Sequence, residues 1–586
     1  MAEHELVIRA GRVVDGTGAP ARTADVAVDG GLVTEVGRVS GRGRREVDAD
    51  GALVIPGFVD IHSHYDGQAT WDSELAPSSS HGVTTVVMGN CGVGFAPVHE
   101  HDHERLIELM EGVEDIPGAA LHEGLSWEWS DFAAYLNALE ARPHDIDLAA
   151  QVPHGALRLH VMGERGAARE AATPDDIAEM GRLAAEAVEA GALGFTTSRT
   201  RNHRTSRGEF TPTLTAEADE LVGIAEAVGT TGRGVLQVVS DFVDLDAEFA
   251  MLRTMVERSG RPLSVSLAAS PAASGHWRRI LEHIEEAAAD GLEMRAQVAP
   301  RPVGIILGLD CTLNPFMTTR VWRDLADRPL AEKVARLHRP ETREALLAEM
   351  GEARAEGLLG GRLIGRFDLL FELDDPPDYE PDPASSLEAR AARRGVGPAE
   401  LALDILCADG GRGLLYLPFL NWVDGSLDAV GEMLAHPRTV PGLADGGAHV
   451  GTICDGSFPT TLLTLWGRDR ERGRLPLEDL VRMQCHDTAR AVGLEDRGVL
   501  APGYRGDVVV IDFDHLTARR PYVVHDLPAG GRRLLQDAEG YLHTFVAGVE
   551  IRAGGEATGE YPGRLVRGPR PAPTGGAAPG TDAGAA

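Results

Sequence analysis

Two kinds of hydrophobic pattern alternate along the chain. Residues 5–55 alternate apolar and polar positions and break at glycine-rich turns, as in "ELVIRAGRVVDGTG" and "ADVAVDGGLVTEVG". This pattern is typical of short antiparallel strands joined by hairpins. The same texture returns near the C-terminus in "GDVVVIDFD" and "GYLHTFVAGVEIRAG". We therefore expect the two ends to pair into one small β-sandwich beside the main domain.

The middle of the chain has apolar runs that are separated by amphipathic stretches. Typical runs are "TTVVMGNCG" and "ALGFTTS", and one of the stretches is "TPDDIAEMGRLAAEAVEAG". This stretch has apolar residues at helical spacing and starts with Thr173 and Pro174, a typical helix cap. The alternation of strands and helices predicts a parallel α/β architecture. Eight strands, from "GFVDIHSH" to "TVPGLADGGAH", predict a closed (β/α)8 TIM-like barrel.

The domain boundaries follow from these patterns. Residues 1–55 and 496–560 are assigned to the β-sandwich, and residues 56–495 to the barrel. The segment of about 140 residues between "AQVAPRP" and "TVPGLADGG" is too long for one connection, so we expect a helical insertion at about residues 305–400. The insertion is either a lid over the barrel mouth or a peripheral addition. Residues 561–586 are low in apolar bulk and predict a disordered tail.

Composition and charge narrow the class of protein. The formal net charge of −34 over 586 residues argues against binding to nucleic acid or to an anionic membrane. No apolar run reaches the roughly 18 residues of a membrane span, and the start "MAEHELVIRAGRVVDG" lacks the features of a signal peptide. Five scattered cysteines do not resemble a disulfide framework. We expect a cytoplasmic protein that acts on a small molecule.

The segment "PGFVDIHSHYD" places His62 and His64 at the end of the first predicted barrel strand. Side chains at i and i+2 of a strand point to the same face, so both imidazoles are offered to one metal ion. Two polar histidines at a strand exit are the alternative. Cys91 and Asp445 also follow predicted strands, and barrels of this kind carry their chemistry at these carboxyl ends. This placement favours a metal site, and for Cys91 a buried, unreactive thiol is the alternative.

A set of motifs along nearly the whole chain resembles the metal-dependent amidohydrolase superfamily, and within it the N-acyl-D-amino-acid deacylases. The motifs are "PGFVDIHSHYD", "GVTTVVMGNCGVGFAP", "PHGALRLHVMG", "GALGFTTS", "GLADGGAHVG", "PGYRGDVVVIDFD" and "HDLPAGGRRLLQDAEGY". The resemblance implies the barrel with a small β-sandwich, a divalent metal that is usually zinc, and hydrolysis of an amide that frees an amino acid. Under it, His62 and His64 correspond to the ligand pair of the first strand. Cys91 corresponds to an unusual cysteine ligand, and Asp445 to the aspartate that contacts metal and takes the proton from the attacking water.

The chain departs from this family pattern at two strands. The pattern has a histidine at the end of the fifth strand and another at the end of the sixth, where this chain has "GVLQVVSD" and "PLSVSLAAS". The residues in these neighbourhoods are poor zinc ligands: Gln237 or Ser240, and Ser264 or Ser266. The only lysine, Lys333, lies in the predicted insertion, which disfavours a carboxylated lysine that bridges two metals.

The expected site is therefore mononuclear. One divalent ion, most simply Zn2+, is expected to bind His62, His64 and Asp445, with Cys91 as a fourth ligand or close neighbour. Asp445 is the expected general base.

Further residues are candidates for substrate binding: His154, His203, Arg301 and His449. His203 and His449 rank first because both lie in predicted loops at the barrel mouth. Arg301 follows the seventh predicted strand, where a guanidinium can clamp a substrate carboxylate through two hydrogen bonds. A structural role is the alternative for each of them.

Three functions remain open at this level. The first is metal-dependent hydrolysis of a linear amide, as in an N-acyl-D-amino-acid deacylase. The second is an amidohydrolase that acts on a cyclic amide or a natural-product intermediate, because strands five and six differ from the family pattern. The third, motivated by the two missing histidines, is a metal-free binding protein without turnover.

Overall fold

Strands of the N-terminal segment pair into one sheet in the computed structural model, which describes residues 2–273, 275–350 and 361–574. They are β1 (His4–Val13), β2 (Arg22–Asp29), β3 (Leu32–Gly37), β4 (Gly43–Asp48) and β5 (Leu53–Pro56). β2 turns into β3 through Gly30 and Gly31, both with positive φ, which a tight hairpin requires. Leu6 and Val26 point into a shared apolar core, which explains the alternating pattern of this segment.

Parallel strands run through the middle of the chain and alternate with helices. They are β6 (Phe58–Asp60), β7 (Val83–Met88), β8 (Asp147–Ala150), β9 (Val152–Pro153), β10 (Gly194–Arg199), β11 (Val235–Ser240), β12 (Leu263–Leu267) and β13 (Met294–Val298). β6, β7 and β8 form one sheet, and β9 to β13 pair in chain order in a second. Every residue of β7 is buried, as expected for a parallel sheet that is covered on both faces. The prediction of a mixed α/β fold is confirmed.

The two parallel sheets meet at both edges. Only Gln151 separates β8 from β9, and its backbone amide donates a 2.9 Å hydrogen bond to the carbonyl oxygen of Met88. At the opposite edges, Ser63 forms a parallel bridge with Gly446, which follows the strand at Thr439–Pro441. The carboxyl ends of the first and last parallel strands therefore lie side by side.

Helices connect these strands. They are α1 (Gln68–Trp71), α2 (His103–Glu114), α3 (Gly118–Gly124), α4 (Phe132–Ala141), α5 (His154–Met162), α6 (Glu164–Ala167), α7 (Pro174–Ala190), α8 (Ala218–Thr230), α9 (Leu245–Ser259) and α10 (His276–Ala289). α7 starts at the expected cap. The hydroxyl of Thr173 accepts from the amide of Asp176, the carboxylate of Asp176 accepts from the amide of Thr173, and Pro174 is the first helical residue.

The segment between β13 and Thr439 folds around a core of its own. Its elements are β14 (Val303–Leu307), α11 (Arg320–Arg323), α12 (Leu330–Leu337), α13 (Pro340–Ala348), β15 (Phe371–Glu372), α14 (Leu387–Arg394), α15 (Pro398–Gly411) and β16 (Leu415–Leu420). This insertion is longer than the expected range of about 305–400. It also contains the sheet β14-β16-β15, because the apolar runs at its two ends pair with each other. Residues 351–360, within the predicted insertion, lie outside the described residues.

The chain then returns to the parallel sheet. This part contains α16 (Asp428–Leu434), β17 (Thr439–Pro441), α17 (Phe458–Thr461), α18 (Leu477–Val481) and α19 (Thr488–Ala491). A π-helix at Leu462–Asp469 extends α17, and another at Arg482–Asp487 connects α18 to α19. β17 pairs in parallel with β13. Within the described ranges, no helix combines the length and the apolar character that crossing a membrane requires.

Part of the C-terminal segment joins the N-terminal sheet. The strands of this segment are β18 (Val508–Ile511), β19 (Thr517–Ala518), β20 (Tyr522–Leu527), β21 (Gly531–Leu535), β22 (Ala538–Glu539), β23 (Tyr541–Val546), β24 (Val549–Ala553) and β25 (Glu556–Ala557). β18, β23, β24 and β25 enter the N-terminal sheet, whereas β19 pairs with β22 and β20 pairs with β21. The order in the sheet is β25-β24-β23-β18-β5-β1-β2-β3, with β4 beside β1. The two ends of the chain meet where β5 and β18 pair in antiparallel fashion, with Val509 opposite Ile55.

Residues 561–574 differ from the expected disordered tail. Gly563 forms a bridge with His144 and Leu565 forms one with Leu148, at the edge of β8. Leu565 and Val566 are buried. The sequence is poor in apolar residues here, but the backbone binds to a free strand edge, which composition does not reveal. Residues 575–586 lie outside the described residues.

Candidate metal site and adjoining cavity

His62 and His64 follow β6 and are almost fully buried, each with 1% of its surface exposed. The amide of His62 donates to the carboxylate of Asp60 at 3.0 Å, and the amide of His64 donates to the carbonyl oxygen of Gly446 at 2.8 Å. The two rings lie with their centroids 5.5 Å apart. The two imidazoles therefore lie side by side just beyond β6, in a bend rather than in an extended strand.

Cys91 and Asp445 lie in loops with unusual backbone conformations. Cys91 has a φ of 55° and Asp445 a φ of 48°, in the left-handed region that most side chains avoid. Gly92 follows Cys91 with a φ of 67°, and a Cβ there would lie 3.0 Å from the Cα of Thr197. Strained residues of this kind cluster at functional sites, where the surrounding structure holds them.

The side chains of these residues converge. Nε2 of His62 lies 3.3 Å from Sγ of Cys91 and 3.3 Å from Oδ1 of Asp445. Nε2 of His64 lies 3.5 Å from the same Oδ1. Donor atoms of His62, His64 and Cys91 all lie within 4.8 Å of one another. The predicted set therefore forms one cluster.

This cluster fits a divalent metal ion. Two nitrogen or oxygen donors on a tetrahedral ion, with bonds of about 2.0–2.1 Å, are separated by about 3.4 Å, close to the distances from Asp445 to His62 and His64. Both ring nitrogens of His64 and Oδ1 of Asp445 are buried without a hydrogen-bond partner in the described part of the chain. Such atoms are costly to bury unless a ligand satisfies them.

The local electrostatics also suit a cation. Burial lowers the pKa of His62 to about 4, which leaves its imidazole neutral and able to donate a lone pair. Burial opposes the charge of Asp445, but the neighbouring His62 and His64 hold the pKa of this carboxyl well below its usual range. Burial raises the pKa of Cys91 to about 12, so without a cation the group is a neutral thiol.

Two residues near the cluster are absent from the sequence prediction. Oε1 of Gln297 accepts a 2.7 Å hydrogen bond from Nδ1 of His62, which fixes the tautomer with a free lone pair on Nε2. Glu114 lies 3.4 Å from Nδ1 of His64. In the sequence, each of them is a polar residue within an apolar pattern. Gln297 lies within β13, and Glu114 lies four residues after Met110 on the buried face of α2.

A cavity of about 340 Å³ opens beside the cluster, and His62, Cys91 and Asp445 form part of its wall. The rest of the lining contains polar residues, among them Asn202, Ser240 and Asp241, and a group of apolar residues. The apolar group includes Val239, Phe242, Leu267, Ile280, Val303, Phe419, Leu420 and Leu443. Val303, Phe419 and Leu420 come from the insertion, so the insertion contributes directly to this cavity.

His203 and His449 line this cavity, at the place where the sequence analysis expects them. Nδ1 of His203 lies 2.8 Å from the hydroxyl of Ser198, and burial lowers the pKa of His203 to about 3. Nε2 of His449 lies 3.5 Å from Oε2 of Glu114. Both histidines are therefore placed to contact a molecule in the cavity.

His154 lies away from the cavity. Both of its ring nitrogens face polar groups, with Nδ1 2.8 Å from the hydroxyl of Thr197 and Nε2 2.9 Å from the carboxylate of Glu220. His154 is a candidate for substrate binding because it follows the third predicted strand. In the structure it is the first residue of α5, is fully buried and is not among the residues that line the cavity, which differs from the expected contact with substrate.

Arg301 is also separate from the cavity walls. Its guanidinium forms a buried 2.8 Å ion pair with Asp455. It stacks on the rings of Tyr379 and Phe458, at 3.8 and 4.7 Å from their centroids. An arginine that is already paired and stacked is not free to clamp a substrate carboxylate. The sequence gives its position after a strand but not the partner that neutralises it.

Strands β11 and β12 carry amides and hydroxyls where the family pattern has histidines. Nε2 of Gln237 donates to the hydroxyl of Ser266 at 3.3 Å, and Nε2 of Gln297 donates to that of Ser264 at 2.9 Å. Ser240 and Ser266 line the cavity. These two strands therefore present neutral polar groups toward the cluster.

Comparisons with known proteins agree along the chain. A profile described as the amidohydrolase family matches residues 45–551. The D-aminoacylase of Alcaligenes xylosoxydans xylosoxydans is 27% identical over 574 residues, which cover 96% of this chain and 97% of that protein.

Two solved structures are similar over the same length. A D-aminoacylase with a binuclear metal centre, studied for one-metal activation and second-metal attenuation, is 25% identical with a TM-score of 0.63, over 97% of this chain and 100% of that one. An N-acyl-D-glutamate deacylase from Bordetella bronchiseptica, in complex with zinc and a phosphonate mimic of the tetrahedral intermediate, is 25% identical. Its TM-score is 0.62, over 96% of this chain and 99% of that one.

Proposed function

The chain belongs to the amidohydrolase family, and from this premise we propose that it removes the acyl group from N-acyl-D-amino acids by metal-dependent hydrolysis. Membership of this family, together with relatives of this kind, makes the protein a hydrolase of carbon–nitrogen bonds other than peptide bonds. The substrate class comes from the relatives, which are named for D-amino-acid derivatives.

One observation carries the proposal: four donor side chains converge at the wall of a cavity. We assign His62, His64, Cys91 and Asp445 as the ligands of one zinc ion. The support is the set of 3.3–3.5 Å separations and the buried atoms that have no hydrogen-bond partner among the described residues. Two nitrogens, one sulfur and one oxygen form a donor set that suits zinc better than it suits magnesium or calcium.

The residues of the chain have distinct tasks in this reaction. The chemistry that the ion supplies when bound is Lewis acidity, which activates water and polarises the amide carbonyl. Asp445, a carboxylate of low pKa, is placed to accept the proton of the attacking water and to return it to the leaving nitrogen. Gln297 holds the ring of His62. His203 and His449 contact the substrate from the cavity wall.

The geometry also supports a closed (β/α)8 barrel. Parallel pairing runs from β6 to β8 and from β9 to β17, and the contacts at Gln151 and at Ser63 join the two sheets. The terminal sheet is proposed to curl into the small β-sandwich, since Leu6, Val54 and Phe545 from different strands share one core. The insertion forms part of the cavity wall, which supports its role as a lid.

The test uses the full chain, purified without chelators. We expect about one zinc per chain and release of the free amino acid from N-acetyl-D-leucine but not from its L enantiomer. Bound metal with equal inactivity on both enantiomers would count against deacylation, and turnover of a cyclic amide would then favour the second function. Failure to bind zinc after zinc is added would favour a binding protein without turnover.

A further inference from the structure

Glu114 is a buried carboxylate between two histidines. It is 1% exposed, with Oε1 3.4 Å from Nδ1 of His64 and Oε2 3.5 Å from Nε2 of His449. Neither oxygen has a hydrogen-bond partner among the residues that the structure describes. A buried carboxylate without hydrogen bonds is unfavourable for folding. Its position therefore points to a task at the site.

The chain holds Glu114 in place through its neighbour. α2 ends at Glu114, and Asp115 follows with a left-handed φ of 52°. The carboxylate of Asp115 accepts hydrogen bonds from the hydroxyl of Thr452 at 2.5 Å and from that of Thr312 at 3.1 Å. The amide of Thr452 in turn donates to the carbonyl oxygen of His449 at 2.7 Å. The end of α2 and the loop of His449 are thus fixed to each other.

The same helix end packs closely against the loop that carries His203. A Cβ on Gly112 would lie 2.1 Å from the carbonyl carbon of Thr205, so only glycine permits this approach. Glu114 therefore sits where the loops after β10 and β17 converge. Its carboxylate is directed at two histidines by backbone packing on both sides.

The contact with His64 has a direct chemical consequence. With Nδ1 facing the carboxylate, Nε2 of His64 is the atom directed at Oδ1 of Asp445. An imidazole whose other nitrogen faces a carboxylate is held in orientation and is a more basic metal ligand, and the 3.4 Å contact with Glu114 places His64 in this arrangement. His62 has the neutral amide of Gln297 in the corresponding place. The two proposed histidine ligands thus differ in the charge of their outer partners.

The contact with His449 orients a cavity residue. The φ of His449 is 49°, in the left-handed region, and its Nε2 is the atom that faces Glu114. A histidine held in this way presents a fixed face to the cavity that it lines. One carboxylate therefore contacts both an imidazole of the donor cluster and an imidazole of the cavity wall.

We propose that Glu114 is a positioning residue that orients His64 for metal binding and His449 for contact with the substrate. The inference rests on the proposed function, because a metal ion at His64 is part of that proposal. Its test therefore measures metal binding apart from hydrolysis.

The first experiment titrates metal-free protein with Co2+ and follows the absorption of the bound ion. We expect Glu114→Gln and Glu114→Met to bind Co2+ about 10–100 times more weakly than the wild type, the range for partners of metal ligands. Glu104→Gln is the control, since Glu104 lies on the same helix but is exposed, and it should stay within about twofold. Glu114→Met removes one partner of the buried contacts with His64 and His449, so the Tm of its metal-free form is measured beside the Co2+ affinity.

The outcomes separate positioning from a structural role. A lower Tm with unchanged Co2+ affinity in both variants would overturn the proposal. A wild type that binds Co2+ but hydrolyses no N-acyl amino acid would refute the proposed function and leave the positioning role standing.

The second experiment concerns His449. His449→Gln should raise KM for N-acetyl-D-leucine with a smaller effect on Co2+ affinity. The double variant with Glu114→Gln should raise KM by less than the product of the two single effects, because both act through one contact. Fully multiplicative effects on KM would remove His449 from the proposal.

Discussion

The backbone amide of Asp445 donates a 3.0 Å hydrogen bond to the carbonyl oxygen of His62, and Oδ1 of Asp445 lies 3.3 Å from Nε2 of the same His62. This double contact connects the last parallel strand to the first. The backbone hydrogen bond does not involve the carboxylate, so a change of the side chain leaves it in place. Substitutions of this side chain therefore test chemistry more than folding.

Asp445→Asn should abolish most of the activity while the protein stays folded and retains metal. The amide cannot accept the proton of the attacking water, and general base catalysis contributes about 10²–10⁴-fold to the rate. His62, His64 and Cys91 remain as donors, so zinc content should stay near one per chain. The measurements are kcat for N-acetyl-D-leucine and metal analysis of the same sample.

Asp241→Asn is the control, because it changes another carboxylate of the cavity, and it should lower kcat by less than about tenfold. A kcat for Asp445→Asn above a tenth of the wild-type value would contradict the assigned role.

Arg301→Met should destabilise the protein without a selective effect on substrate binding. The change leaves Asp455 buried without its ion-pair partner, which costs about 3–5 kcal/mol. The double variant Arg301→Met with Asp455→Leu should recover most of the lost Tm, because two apolar side chains replace the pair. Thermal melting measures this, and KM is compared at a temperature where all variants are folded. An unchanged Tm together with a KM raised by about tenfold or more would instead identify Arg301 as a substrate clamp.

The parts of the fold and site that follow from the sequence are those that depend on local geometry. The placement of His62 and His64 side by side follows from two histidines that are two residues apart at the end of a strand. Cys91 and Asp445 follow parallel strands, whose carboxyl ends lie at one edge of a sheet, so their convergence could be predicted. The mixed α/β fold and the family were predictable from the same alternation and from motifs along the chain.

The parts that the sequence does not reveal depend on distant partners. Gln297 contacts His62 across 235 positions, and no local pattern indicates that pairing. From the sequence, Arg301 and His154 are candidates for substrate binding. In the structure, Arg301 is paired with Asp455 and His154 with Glu220. The segment 561–574 is ordered by a strand edge that composition cannot show. Position along a strand is thus local information, whereas the choice of ion-pair partner is not.

N-acyl-D-amino acids with apolar side chains should be better substrates than acidic ones. Phe242, Leu267 and Ile280 form an apolar wall, and none of the described residues that line the cavity is arginine or lysine. We expect kcat/KM for N-acetyl-D-leucine to exceed that for N-acetyl-D-glutamate by at least about tenfold, since an apolar pocket cannot solvate a second carboxylate.

Phe419→Arg tests this wall directly. Phe419 is a half-buried cavity residue of the insertion, and a cation there should shift the leucine-to-glutamate ratio of kcat/KM toward glutamate by about tenfold. Phe419→Leu is the matched control and should keep the preference for leucine. An enzyme that prefers N-acetyl-D-glutamate before any substitution would show that the apolar wall does not select the side chain.

Metal affinity should rise with pH, and Cys91 should account for about one proton of that dependence. Burial raises the pKa of the Cys91 thiol to about 12, so the thiol is protonated across the neutral range in metal-free protein. A metal binds the thiolate, so binding releases this proton, and the affinity should rise about tenfold per pH unit from this group alone. Since a serine keeps its proton, Cys91→Ser should lower the slope of log affinity against pH by about one. Co2+ titrations at about pH 6 and about pH 8, with a competing chelator, measure both slopes. Equal slopes for the wild type and Cys91→Ser would place Cys91 beside the ion rather than on it.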